Sequence, residues 1–501
     1  MQVNALRLAV VLAFLAAAAR GDPATAVTPN ARPAIPLRQA VLLNGKPFPP
    51  VTRFTARVPE PVRVVFVSAS VVEKNGDGTS QHPWNDLQAA LAALSPGDRL
   101  RVLPGVYTGA FAIDERCKDG SAQRPIQVFF DGKASLAPRG DGAALTIRKA
   151  HWHLSGLFVE LGQTPNVGVS LEGLGAHEVT LDGARISSGA GPSIRIGAET
   201  ARITVANSRI AKSRLEQASP DAVGIVVEAG AQDVLITNNQ LHENPGGSLR
   251  VRAPAGGGRP AGGLRVLANA IHDDATAAID VAAGVSVRIS KNTIFDAPGS
   301  TGTVGIALGR VEKATVDWNS VFDCETAVSV GRASPGEPPL QAADVSIDHN
   351  DLEQSLPEGT AVRVESANGV RLAHNVVDGP ADAFLILGAP PRTRGVTVAN
   401  NLVLRVSGLA FALDDRKSAE LFDYNLFSPA GASVDARLGD RRLPLTKLLK
   451  EGAMPHTKVV SDVRILNHDL ARIAGAQTVG EGTPLKGFAY KGAPDIGVEE
   501  R

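Results

Sequence analysis

The chain has 501 residues, with 51 Lys+Arg against 51 Asp+Glu, so its formal net charge is zero. That balance excludes a general nucleic-acid binder, which needs a basic field to neutralise phosphates, although a local basic groove is still allowed. Hydrophobic residues make up 44% and aromatics only 4%, a composition suited to a long aliphatic core.

The N-terminus reads as an export signal. Arg7 precedes the uncharged apolar run Leu8–Ala19, and small residues follow, with cleavage expected after Ala19 or after Ala24-Thr25-Ala26. A bilayer span needs about 20 apolar residues, so this run is too short to cross a membrane and about right for a signal h-region. A signal peptide over 1–26 is expected, and with it a periplasmic or secreted bacterial protein. No later segment is long and apolar enough to span a membrane. Residues 27–61 are Pro-rich and irregular and read as a lead-in. Cys117 and Cys324 lie far apart and form neither a CxxC motif nor a disulfide framework, so two unpaired small apolar residues are expected.

From Val62 the character changes. VRVVFVSAS reads as a strand, NGDGTSQHP as a turn-rich loop, and WNDLQAALAALS (84–95) as a short amphipathic helix capped by Asn85 or Asp86 and ended by Pro96-Gly97. RLRVLPGVY and IQVFF are again strands.

A repeat then dominates. Segments of the form apolar–x–x–Asn–x–apolar place asparagines at 239, 269, 292, 319, 350, 375, 401 and 425, and LDGARI and VANSRI put Ala184 and Ser208 in the same column. The mean step is about 27 residues, taken over 184–425. Stacked coils bring equivalent residues about 4.8 Å apart. An Asn at each bend can therefore pass hydrogen bonds along the stack and tolerate an unusual backbone there. A second strand recurs in each coil (SIRIG, GIVVEA, SLRVRA, AIDVA, GIALG, AVSVG, AVRVES). Strand–bend–strand–loop–strand at this period predicts an all-β fold: a single right-handed parallel β-helix over 62–428, with the 84–95 helix as N-terminal cap. A C-terminal capping region is expected over 429–501, containing the helix-like LTKLLKEG.

The entry segment GDGTSQHPWNDLQAALAALSPGDRLRVLPGVYTG and the closing PDIGVEE resemble the right-handed parallel β-helix proteins of the pectate-lyase-like superfamily over roughly 62–428. The resemblance implies polysaccharide-directed functions, which in that superfamily span uronate lyases, polygalacturonase-like hydrolases, alginate epimerases and non-catalytic adhesins. The hydrolase motif set is missing, with only Asp273-Asp274 echoing its middle element. The Asp-Pro-His motif of the mannuronan epimerases is missing as well.

The resemblance also implies a substrate groove over the outer face of the strand that follows the variable loop. The outward residue there, between two core aliphatics, is Ser170, Arg195, Val226, Arg250, Asp280, Ala307, Ser329 and Arg363 in successive coils. Arg195, Arg250 and Arg252 can bind carboxylates bidentately. The HENPGG and HDDATA loops bring His242, Glu243, His272, Asp273 and Asp274 to the rim. β-Elimination needs carboxylate neutralisation, a base and an acid. Arg250, His272 and His242 are the catalytic candidates, with Arg195, Arg252 and Asp280 as substrate contacts. Asp273, Asp274 and Glu243 are candidate Ca²⁺ ligands. Each has a plainer reading. Arg250 and Asp280 can simply pair across coils, and the acidic column Glu243, Asp273, Asp296, Asp323 reads first as turn chemistry. His349 and His374 stack at adjacent bends, and Trp318 beside them reads as packing. The expected function is action on an acidic polysaccharide by lyase or epimerase chemistry; the alternative is a non-catalytic carbohydrate-binding or structural β-helix. The expected partner is polysaccharide, the expected state a monomer.

Overall fold

The computed structural model describes residues 54–460 and residue 485, except 73–75, 162–166, 188, 212–220, 296–302, 332–340, 355, 357–358, 380–381 and 390. The expected signal peptide, most of the lead-in, Asp296 and the PDIGVEE ending lie outside the described residues.

The described chain winds into a right-handed parallel β-helix of about 12 turns. Each coil contributes a strand to three walls. The first wall holds the strands after the variable loop, such as Ile194–Ile196, Ile225–Val227 and Leu249–Val251. The second holds those before the asparagine bend, such as Thr204–Ala206 and Leu235–Thr237, and the third those after it, such as Gln240–His242 and Ala270–His272. Strands Ala277–Ser290 and Val304–Asp317 run unbroken from the first wall into the second, which merges these two into one 27-stranded sheet; the third wall is a separate sheet of 14 strands.

The core follows from alternation. In Ile194-Arg195-Ile196 the isoleucines are fully buried and the arginine exposed, and in Leu249-Arg250-Val251 the aliphatics are fully buried and the arginine half-buried. Successive strand residues point to opposite faces, so each short strand sends aliphatics into one continuous hydrophobic interior. Each fully buried Val, Leu or Ile contributes about 1.5–3 kcal/mol.

The asparagine column is a buried hydrogen-bonded stack. From Asn239 to Asn401 each Nδ2 donates to the Oδ1 of the next ladder asparagine at 2.9–3.0 Å, and each backbone N–H donates to the same oxygen at 2.9–3.1 Å. Nδ2 also reaches a backbone carbonyl of the preceding coil, as Asn319 does to Ile289 at 2.9 Å. Ser208 continues the column at one end, its N–H donating to Asn239 Oδ1 and its Oγ accepting from Ala184 N. Thr457 continues it at the other, accepting from Asn425 N at 3.3 Å.

One expectation about the bend is corrected. The unusual backbone belongs to the residue before the ladder asparagine, not to the asparagine. Gly156 (φ 71°), Gly183 (67°), Asn207 (51°), Asn238 (55°), Trp318 (58°), His349 (55°) and His374 (56°) are left-handed, and the ladder asparagines are not among the left-handed residues. The bend therefore accepts Trp and His, because neighbouring coils impose the conformation and the Asn beside it supplies the hydrogen bonds.

At the N-terminal end, helix α1 (Leu87–Ala93) is capped by the Asp86 side chain, which accepts from Ala89 N at 3.1 Å. Leu87, Ala90 and Leu91 are buried in the core. Gln88 closes a strand edge: its Nε2 donates to Ala112 O and its Oε1 accepts from Ala112 N, both at 2.8 Å. One amide thus satisfies both backbone groups of a residue in the edge strand Phe111–Ile113. At the other end, parallel pairing continues past 428: Asp435–Leu438 pairs with Leu409–Leu413, and Lys458–Val459 pairs with Leu426–Phe427. Between them, helix α2 (Leu445–Lys450) buries Leu445 and Leu448. Both cysteines are buried, and neither forms a disulfide.

Candidate functional site

The first-wall column is in register as read from the sequence, but Ser170, Val226 and Ser329 in it are buried and only Arg195 is exposed. Ser170 pairs with Arg195, then Val226, Arg250, Asp280, Ala307, Ser329 and Arg363. Arg250 Nε lies 3.8 Å from Asp280 Oδ2, an ion pair too long for a hydrogen bond. Arg250 Nη2 also donates to Gly246 O at 2.9 Å, which ties the arginine to the loop before its own strand. Arg195 Nε donates to Glu228 Oε1 at 2.9 Å, and Arg252 Nη1 reaches the same oxygen at 3.3 Å. Sequence reasoning missed Glu228. Its signal was its place one residue beyond the strand Ile225–Val227, the position that Arg252 holds a coil later. The structure therefore joins Arg195, Arg252 and Glu228 into one network and sets Arg250 with Asp280 on the same face.

The histidines belong to another wall. His242 and His272 end adjacent third-wall strands and face each other in register. Their rings stack at 4.8 Å and 4°, and His272 stacks on Phe295 at 4.8 Å and 3°. Loops 243–248 and 273–276 separate this stack from the Arg250 wall, so the expected single constellation is divided between two faces of one corner.

The two rings are held differently. His242 Nε2 accepts from Arg209 Nε at 3.2 Å, which assigns its proton to Nδ1. Burial, then the charge of His272, then Arg209 push its pKa down to about 4. His272 Nδ1 lies 2.9 Å from Asp273 Oδ2, so the carboxylate orients that ring and leaves Nε2 as the basic atom. A His242 pKa depressed below its unfolded value of about 6.5 makes the folded state bind fewer protons between the two values. The associated stability is present above about pH 6.5 and lost as pH falls toward about 4. We expect the His242 ring proton to titrate near pH 4 by NMR, and Arg209→Gln to raise that midpoint. A midpoint near 6.5 in the native protein would contradict the buried, arginine-facing ring.

The three candidate metal ligands turn to separate partners. Asp273 faces His272, and Glu243 Oε2 lies 3.7 Å from His242 Nδ1. Buried Asp274 accepts from Asn244 N at 3.0 Å. Among the described residues no three His, Cys, Asp or Glu side chains converge as metal ligands do. Glu243, Asp273 and Asp323 have left-handed backbones (φ 53–58°), in keeping with the turn reading of that column. The second histidine column is also a stack: Trp318 on His349 at 4.7 Å and His349 on His374 at 5.1 Å, with His349 Nδ1 3.0 Å from Asp348 Oδ1.

No protein-family model matches the sequence, and no curated protein matches it. Solved structures do. An alginate lyase from Paenibacillus sp. str. FPU-7 is 19% identical, with 61% of this chain and 99% of that one covered, at a TM-score of 0.47. The PL6 family alginate lyase AlyGC is 14% identical at a TM-score of 0.51, covering 81% of this chain and 54% of its own, so the chain spans about half of that lyase. PfbA, a surface adhesin of Streptococcus pneumoniae, is 12% identical at 0.47, with 71% and 89% covered. At such identities the likeness establishes architecture alone: the chain has the right-handed parallel β-helix fold.

Proposed function

We propose that the protein acts on an acidic, uronate-containing polysaccharide by lyase or epimerase chemistry, as an exported protein. The observation that carries this reading is the placement of Arg195, Arg250 and Arg252 on one outer wall within a few coils. Guanidinium groups there neutralise a uronate carboxylate and so acidify the adjacent C5–H. In this reading His272 Nε2 takes the C5 proton, with Asp273 fixing its tautomer. The C5–H electrons form the C4=C5 bond as the C4–O bond breaks, and a proton is delivered to the departing oxygen. In epimerisation the proton returns to the opposite face of C5. The substrate must then reach round the corner from the arginine wall to the histidine stack. No helix among the described residues is long and apolar enough to cross a membrane.

Glu228 and Asp280 already pair these arginines, and that favours a second reading, a non-catalytic glycan-binding surface. One assay separates the two. Alginate, pectate and glycosaminoglycans are incubated with the protein, with and without Ca²⁺, and the ultraviolet absorbance of unsaturated uronate ends is followed. Growth of that absorbance on at least one substrate is expected. Saturable binding without new ends, and without a change in uronate composition, would leave the binding reading alone.

A further inference from the structure

Several arginines described on the coils lie against an acid. Arg148 meets Glu172, Arg195 and Arg252 meet Glu228, Arg202 meets Glu178, Arg288 meets Asp317 and Arg405 meets Asp378, all within 3.3 Å. Arg185 and Arg209 differ. They are exposed, occupy the same position on adjacent third-wall strands, and pair in register. Among the described residues neither forms an ion pair with a carboxylate. The one hydrogen bond of the Arg209 side chain goes to the imidazole Nε2 of His242, a neutral acceptor. The next residues in the same column are Phe158 on one side and Gln240 on the other, both uncharged.

The two arginines stand one strand spacing apart, about 4.8 Å between backbones, and their like charges repel unless an anion lies between them. They flank a cleft of about 610 Å³ at the bend between the second and third walls, lined also by Ser155, Gly156, Asp182 and Asn207. The cleft floor is hydrogen-bonded. Asn207 Nδ2 donates to Asp182 Oδ1 at 2.6 Å and to Phe54 O at 2.9 Å, so Asp182 is engaged with the floor and the lead-in is fastened at its edge.

The geometry points to a second acidic-saccharide subsite on the third wall, in which Arg185 and Arg209 bind carboxylates of a uronate chain running along the solenoid axis. One coil advances the surface by about 4.8 Å, comparable to the length of a sugar residue, so adjacent arginines meet adjacent uronates. Phe158 supplies an apolar face at one end for a sugar ring, and Gln240 an amide at the other. The inference takes its ligand class from the polysaccharide reading above; Arg185 and Arg209 are not among the residues that reading assigns, although Arg209 touches its histidine stack through His242.

The test is calorimetric titration of the full chain with a hexa-uronate, a sulfated hexasaccharide and inorganic sulfate. Wild type is compared with Arg185→Gln/Arg209→Gln, with Arg250→Ala, and with all three changes combined. Losing two charge-assisted contacts should weaken hexa-uronate binding at least about tenfold, in the native background and in Arg250→Ala alike, at an unchanged melting temperature. Unaltered hexa-uronate affinity in the double variant would overturn the subsite. Loss confined to the sulfated probe or to sulfate would overturn its assignment to uronates. Because Arg250→Ala is read separately, failure of the first-wall function and failure of this subsite give different results. A readout on the wild-type protein completes the test: hexa-uronate should slow phenylglyoxal modification of Arg185 and Arg209 as mapped by mass spectrometry, and unslowed modification counts against the proposal.

Discussion

Asn319→Leu should destabilise the protein by about 3 kcal/mol or more, because it strands several buried polar groups at roughly 1–3 kcal/mol each. Asn319 Oδ1 accepts from both the backbone N–H and the Nδ2 of Asn292, and its own Nδ2 donates to Asn350 Oδ1 and Ile289 O. A leucine offers no replacement for any of these, and the site is fully buried, so water cannot enter to substitute. Each repeat contacts only its neighbours, so hydrogen exchange should accelerate first in the coils containing Asn292, Asn319 and Asn350. Thr457→Val, which removes a 3.3 Å contact from Asn425 N and a 3.1 Å contact to Asp423 Oδ1 at the end of the column, should cost less. If Asn319→Leu melts with the wild type, the stack does not hold the coils in register.

The second large effect concerns function. Arg250→Ala should abolish turnover or weaken polysaccharide binding at least tenfold, on the roughly 1.5–3 kcal/mol carried by a hydrogen bond to a charged group. Its melting temperature should barely move, since a partly exposed pair at 3.8 Å contributes at most about 1 kcal/mol. Asp280→Ala discriminates the roles. If Arg250 only pairs with Asp280, the two variants should behave identically, with substrate handling intact. If Arg250 meets a carboxylate, Asp280→Ala should keep or strengthen binding, because it removes the competing anion. Identical, unimpaired behaviour of both variants would move the functional surface off the first wall.

The two experiments probe features that were unequally visible in the sequence. The ladder asparagines recur once per coil, 23 to 31 residues apart, and a solenoid converts each recurrence directly into contact, so their stacking and the first-wall column from Ser170 to Arg363 could be written down in register. The helix over Leu87–Ala93 was visible through its cap and its apolar spacing, although Gln88's closure of the Ala112 edge was not. The bend conformation was misplaced by one residue, because composition at the bend reports which side chain hydrogen-bonds and not which backbone is left-handed.

The site was legible only as columns. Within one wall, sequence register ranks neighbours reliably, and Arg250 beside Asp280 follows from it. Between walls it is silent. His242 and His272 come only a few residues before their first-wall strands, yet they end third-wall strands, on the other side of the corner loops. Glu228 bridging Arg195 and Arg252, and Arg185 beside Arg209 with no acid, likewise depend on side-chain reach.

What the sequence by itself determined is therefore the periodic part: the coil length, the inward aliphatics, the asparagine stack and the order of residues along each wall. All of these recur once per coil, and stacking maps that recurrence onto a single axis. Only the tertiary structure decided which charges neutralise one another, which face of the corner carries the histidines, and where two arginines stand together over a cleft. Those depend on loop lengths that vary from coil to coil and on the angle at which the walls meet, and neither leaves a periodic trace in the chain.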